Sequence, residues 1–136
     1  MSYPGLEQTF VPSTAIEAGR TVWEFVPERV TSDAALLFLD GEFYLEHVRA
    51  VEILKGQWEL KTIPLVSAFA LPTFPAYFVA AEKQTNRVKD FCCNHQFAAF
   101  ITGDVLPEIL TRHHGIDPQK VILVGASLGG LAAALI

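Results

Sequence analysis

Short apolar runs and three-residue apolar spacings alternate along this chain. Residues 19–27 (GRTVWEFVP) set Val22, Glu24 and Val26 against Thr21, Trp23 and Phe25 and end at a proline, which predicts a strand. Residues 34–39 (AALLFL) are an unbroken apolar run closed by Asp40 and Gly41, the pattern of a central strand covered on both faces. Over residues 43–54, Leu45, Val48, Val51 and Leu54 fall three apart among charged positions, predicting an amphipathic helix that ends at Gly56. Residues 63–70 (IPLVSAFA) predict another buried strand, with Pro64 limiting pairing at its start. The Pro- and aromatic-rich residues 71–78 carry Phe74, Tyr77 and Phe78, which suit either a loop lining a site or plain packing. Residues 89–112 follow helical spacing, with a kink expected at Pro107 and an end at Gly115. Asp117-Pro118 marks a turn, residues 121–124 (VILV) a third buried strand, and residues 128–136 the start of a helix. Residues 1–18 are expected to be an irregular N-terminal segment.

Strands and helices alternating in this way imply an α/β fold. The expectation is one domain over residues 1–136, a three-layer α/β/α sandwich with a mostly parallel sheet, incomplete at the C-terminus. The final residues, LAAALI, are wholly apolar and carry no helix-terminating residue, so the chain is expected to be a truncated portion of a longer domain.

With 51% hydrophobic and 18% charged residues, the chain has ample material for a core, and disorder is not expected. The net charge is -5 and the ten Lys and Arg residues are scattered, which argues against nucleic acid as a partner. The start, MSYPGLEQTF, lacks the pattern of a secretory signal, and no apolar run reaches the ~20 residues of a membrane span, so a cytoplasmic protein is expected, without membrane association. Cys92 and Cys93 are neighbours, read as reduced, partly buried helix residues. No CxxC pair accompanies them, and neither a metal nor a cofactor is expected.

Chemistry enters after VILV, where Gly125-Ala126-Ser127-Leu128-Gly129-Gly130 matches G-x-S-x-G between a strand and a helix. A serine on so tight a turn needs small neighbours two residues away, and Gly125 and Gly129 provide that clearance. The hydroxyl of Ser127 is then exposed above the sheet, and the Leu128 amide, at a helix N-terminus, faces a developing oxyanion. A second oxyanion donor is expected from the turn Asp40-Gly41-Glu42, directly after AALLFL. Glycine-rich turns also cradle phosphates, but GASLGG lacks the Lys and Ser/Thr of a P-loop and the order of a dinucleotide fingerprint.

The segments LLFLDGEFY, NRVKDFCCNHQFAAFITGDVLPEIL and VILVGASLGGLAAAL, in this order and spacing, resemble the enterochelin-esterase-like branch of the esterase D superfamily, which has an α/β-hydrolase fold; the likeness spans about residues 20–136. The resemblance implies a serine hydrolase that cleaves small-molecule esters through an acyl-enzyme, in members acting on catecholate siderophores or other acyl esters. It implies Ser127 as nucleophile and the backbone amides of Leu128 and Glu42 as oxyanion donors. Arg87, Asp90 and Asn94 also match positions in such proteins. Arg87 could contact a substrate carbonyl or acid, or pair with Asp90 at helical spacing and fix a loop. Asn94 reads as a helix cap.

In this fold the acid and the histidine of the triad follow the serine. None of residues 128–136 is acidic or a histidine, and His47, His95, His113 and His114 all precede Ser127. The chain is therefore expected to lack its own triad. It is either part of an esterase whose acid and base lie downstream or an inactive remnant that binds a partner. An unpaired edge on VILV would favour homo-oligomers.

Overall fold

The computed structural model describes residues 3, 5–73 and 87–136. Phe74, Tyr77 and Phe78 lie outside the described residues. A five-stranded sheet of order β1-β2-β4-β3-β5 forms the frame, from β1 (Glu7–Val11), β2 (Arg20–Phe25), β3 (Ala35–Leu39), β4 (Ser67–Leu71) and β5 (Val121–Val124). β4, β3 and β5 run parallel, while β2 is antiparallel to both β1 and β4. The α/β fold is as expected, with a mixed sheet. The antiparallel entry of β2 has a simple cause: residues 26–34, between β2 and β3, hold no helix, and a parallel crossover needs about a dozen residues or more.

β1 lies where an irregular segment is expected. Its sequence, EQTFV, is short and polar, but each residue from Glu7 to Val11 faces one of β2, and Thr9 and Val11 turn inward. Pairing with an existing strand, not local propensity, makes this an edge strand. The following residues are tied down too, since the backbone amide and hydroxyl of Thr14 donate to the Asp104 carboxylate, both at 2.9 Å.

Side-chain alternation along the strands sorts the core into two faces. Ala35, Leu37 and Leu39 of β3, with Phe69 and Leu71 of β4 and Val22 of β2, join Phe91, Phe97, Phe100, Ile101, Val105 and Ala132 in one buried cluster. Trp23, Phe25, Phe38, Ala68 and Ala70 point to the opposite face, against Leu45, Ala50, Val51 and Leu54. Burying each large apolar side chain contributes about 1.5–3 kcal/mol, so these faces hold the layers together.

The stretch over residues 43–54 is not one helix. α1 (Gly41–Phe43) runs into a π-helical turn, Tyr44–Val48, and α2 spans Ala50–Glu59, with Arg49 between them at φ 58 and ψ 47. Gly56 does not end the helix: it sits inside α2, where an added Cβ would meet nothing within 4 Å.

Residues 89–112 also divide. Residues 87–91 are helical, the chain turns at Cys92 and Cys93, and a second helical run begins with α3 (His95–Phe100), widens through Ile101–Val105 and ends with α4 (Leu106–Arg112). The break lies where Phe91 takes the buried position and Cys93 adopts φ 52, which leaves both cysteines exposed where partial burial is expected. The wide π turn directly precedes Pro107, whose ring clashes with the preceding turn and whose nitrogen has no proton to donate. Helix α5 (Leu128–Leu135) follows β5 and packs Ala132 into the main cluster. No helix among the described residues is long and apolar enough to cross a membrane.

Candidate active site

The carboxyl ends of parallel strands are where open α/β sheets bind ligands, and two turns leave this sheet side by side there. Phe38 of β3 faces Val124 of β5, so Asp40-Gly41-Glu42 and Gly125-Ala126-Ser127 emerge from adjacent strand ends. α5 starts against the same place, since a Cβ on Gly129 would stand 3.8 Å from the Leu39 carbonyl oxygen.

Ser127 is exposed and holds φ 54 and ψ -120. This lies outside the regions an L-residue adopts readily, at a strain on the order of 1–3 kcal/mol. The surroundings enforce it. A Cβ on Gly125 would lie 2.3 Å from both the carbonyl carbon and oxygen of Gly129, so only glycine lets the turn close so tightly. Gly129 itself is less constrained, with its nearest neighbours at ordinary contact distance. Leu128 opens α5, in the first turn whose N–H groups have no acceptor within the helix.

The neighbouring turn is built with equal economy. Asp40 closes β3 in the left-handed conformation, φ 68, which Asp tolerates better than most residues. Gly41 presses on β4, where a Cβ would come within 2.8 Å of the Ala70 and Leu71 backbone. Glu42 lies in α1, and its carboxylate accepts from the hydroxyl and amide of Thr73, at 2.8 and 3.3 Å.

Arg87 does not pair with Asp90. Its Nε meets Asp40 Oδ2 at 2.7 Å, while Asp90 meets Arg20 Nη2 at 3.5 Å. Arg20 and Thr73 are thus parts of the site's surroundings not expected from the sequence, and Asp40, expected as part of the oxyanion turn, is also the partner of Arg87. One signal existed for Arg20, a charge opening the face of β2 that also carries the buried Val22. Burial pushes the Asp90 carboxyl up to about 7, with Arg20 opposing the shift only in part. Burial also lowers the pKa of Arg20. Asn94 caps α3 as expected, its Oδ1 accepting from the amides of Gln96 and Phe97.

The histidines stand apart. His47, His95 and His114 are exposed, and His113 Nε2 meets Glu24 Oε2 at 2.8 Å. Glu24 is a buried carboxylate also held by Thr9 and Arg112, so His113 has a specific partner beyond the end of a helix. Among the described residues no histidine hydrogen-bonds Ser127. An exposed hydroxyl on a strained turn, with helix-start amides beside it, can attack a carbonyl and stabilise an oxyanion once a base takes the proton.

A protein-family model described as "Putative esterase" matches residues 13–136. No curated protein matches the chain. Among solved structures, the enterochelin esterase of Shigella flexneri is similar with a TM-score of 0.77 and 20% identity, over 98% of this chain and 32% of that one. The BES protein of Bacillus cereus gives 0.70 and 20%, over 97% and 55%. An IroE-like serine hydrolase from Shewanella oneidensis gives 0.66 and 19%, over 93% and 44%. These likenesses establish the fold, and the chain spans about a third of the length of the enterochelin esterase.

Proposed function

The chain belongs to this esterase family, and we propose that it carries the nucleophile of a serine carboxylic ester hydrolase, Ser127. The observation that carries the reading is the backbone of Ser127, held at φ 54 and ψ -120 in a turn that only a glycine at 125 can close. Strain of this kind persists where the surroundings impose it, and it holds the hydroxyl clear of the sheet.

In the proposed reaction the Ser127 Oγ attacks the ester carbonyl and its proton passes to a general base. The amides of Leu128 and Glu42 donate to the oxyanion of the tetrahedral intermediate. Collapse expels the alcohol, protonated by the base, and leaves an acyl-enzyme that water cleaves by the same steps in reverse roles. Residues 128–136 contain no acid or histidine, and no histidine bonds to Ser127 among the described residues, so the base and its acid are proposed to come from outside residues 1–136. The substrate is proposed to be a small-molecule ester of the kind the resemblance implies, a catecholate siderophore ester or another acyl ester. Arg87 stands beside the Asp40 turn and is proposed to contact a substrate carbonyl or acid.

A fluorophosphonate probe tests the nucleophile. Labelling of the intact protein should disappear in Ser127→Ala. Labelling that persists in the variant, or ester hydrolysis by a protein the probe never labels, removes Ser127 from this role. An intact protein that neither labels nor hydrolyses esters is an inactive remnant or partner-binding module.

A further inference from the structure

The proposed chemistry leaves several buried polar groups at the same sheet edge unused. Arg20 and Asp90 are 2% and 3% exposed and meet at 3.5 Å. Arg20 Nε also donates to the Thr73 carbonyl at 3.2 Å, and Thr73 in turn donates its hydroxyl and amide to the Glu42 carboxylate. A continuous path therefore runs from Asp90 through Arg20 and Thr73 to Glu42. Three positions before Asp90, Arg87 holds Asp40 at the other end of the turn. One position after it, Phe91 is fully buried and lies 3.8 Å from where a Cβ on Gly129 would stand, at the first turn of α5. Residues 87–91 thus reach both ends of Asp40-Gly41-Glu42 and the start of the helix that follows Ser127.

Such a device has a physical motive. A buried ion pair adds little net stability, because the loss of hydration offsets the attraction. An oxyanion donor, in contrast, acts only when its N–H is aimed to within a few tenths of an ångström. Glu42 lies in a helix only three residues long that runs directly into a π turn, so the regular ladder of a long helix does not hold it.

We propose that residues 87–91 brace the oxyanion turn: Asp90, through Arg20 and Thr73, fixes Glu42, while Arg87 fixes Asp40. The Glu42 amide is thereby held in line with the amide of Leu128. Arg20, Thr73 and Asp90 are positioning residues that never touch substrate. The inference rests on Ser127 and Glu42 having the catalytic roles proposed above.

The test uses steady-state ester hydrolysis by the intact protein. Asp90→Ala strands the buried Arg20 guanidinium and probes folding as much as catalysis, so Thr73→Val, nearly isosteric, is the informative variant. Removing a whole oxyanion donor costs about 100-fold or more, and loosening one should cost kcat about tenfold, with KM and the unfolding midpoint unchanged. Thr73→Ser, which keeps the hydroxyl, should restore kcat. An unchanged kcat in Thr73→Val, a loss confined to KM, or no recovery in Thr73→Ser overturns the brace. Ser127→Ala separates the two readings: if it abolishes turnover while Thr73→Val leaves kcat unchanged, only the brace fails, and if it stays active, the nucleophile assignment fails as well.

Discussion

Two glycines of one motif carry different burdens. Gly125 has no room for a methyl group, because its Cβ would sit 2.3 Å from the Gly129 backbone, whereas a Cβ on Gly129 would find its nearest atoms at 3.8 Å. Gly125→Ala must therefore displace the first turn of α5, lowering stability by about 1–3 kcal/mol. A shift of about 1 Å at reacting atoms should also lower kcat about 100-fold. Gly129→Ala should fold at least as well as the parent, gaining up to about 1 kcal/mol from helix propensity. Denaturant melts of the two variants decide this, and equal destabilisation would contradict the steric account. Asp90 gives a second residue-scale test. Burial raises its carboxyl from 3.8 to about 7, with Arg20, Lys89 and Glu42 as the charged groups acting on it. A carboxyl whose native pKa lies above its unfolded one stabilises the fold while both states are protonated, and that contribution is lost as pH rises through the native value. The unfolding midpoint should therefore fall between about pH 4 and pH 7. Asp90→Asn should flatten the decline, and an equally steep profile in the variant would show that another group is responsible.

At the scale of elements, the long periodic stretches were legible as helices but their interruptions were not. The apolar spacing of Leu45, Val51 and Leu54 does bring these residues against the sheet, yet it gave no sign of the left-handed Arg49 between α1 and α2. Periodicity reports which face is buried, and a one-residue break can leave that face nearly intact. A local signal did survive at Asn94, whose side chain takes the amides of Gln96 and Phe97 and also donates to the Lys89 carbonyl at 2.8 Å. Asn94→Ala should cost about 1 kcal/mol in denaturant unfolding, while Asn94→Asp, which keeps the accepting oxygen, should recover most of it. Equal losses in both variants would assign the effect to the Lys89 contact instead.

At the scale of the whole sheet, the described residues leave two edge strands, β1 and β5, and β5 is the apolar one. Among the described residues β5 pairs only with β3, and Ile122 is 52% exposed along that edge. An unpaired strand with an exposed β-branched residue is a template for another strand. The 136-residue chain is therefore expected to self-associate, with sedimentation showing species heavier than a monomer at micromolar concentration. Ile122→Lys should shift the population toward monomer, as charged edges do in natural sheets. Association unaffected by this change would place the contact elsewhere.

Local sequence was enough to determine the apolar strands β3 and β5, the cap at Asn94, and a serine on a glycine-cleared turn between strand and helix. Each of these depends on a few adjacent residues: an apolar run, a side chain that reaches its own backbone, or a turn that admits no Cβ. Tertiary structure alone decided that EQTFV would be a strand, that β2 would run antiparallel, and that Arg87 would hold Asp40 and not Asp90. Those outcomes depend on partners far away in the chain, with Arg20 and Asp90 separated by 70 residues. Burial selects such partners through the desolvation each charge must offset, and no local pattern encodes which partner will be near.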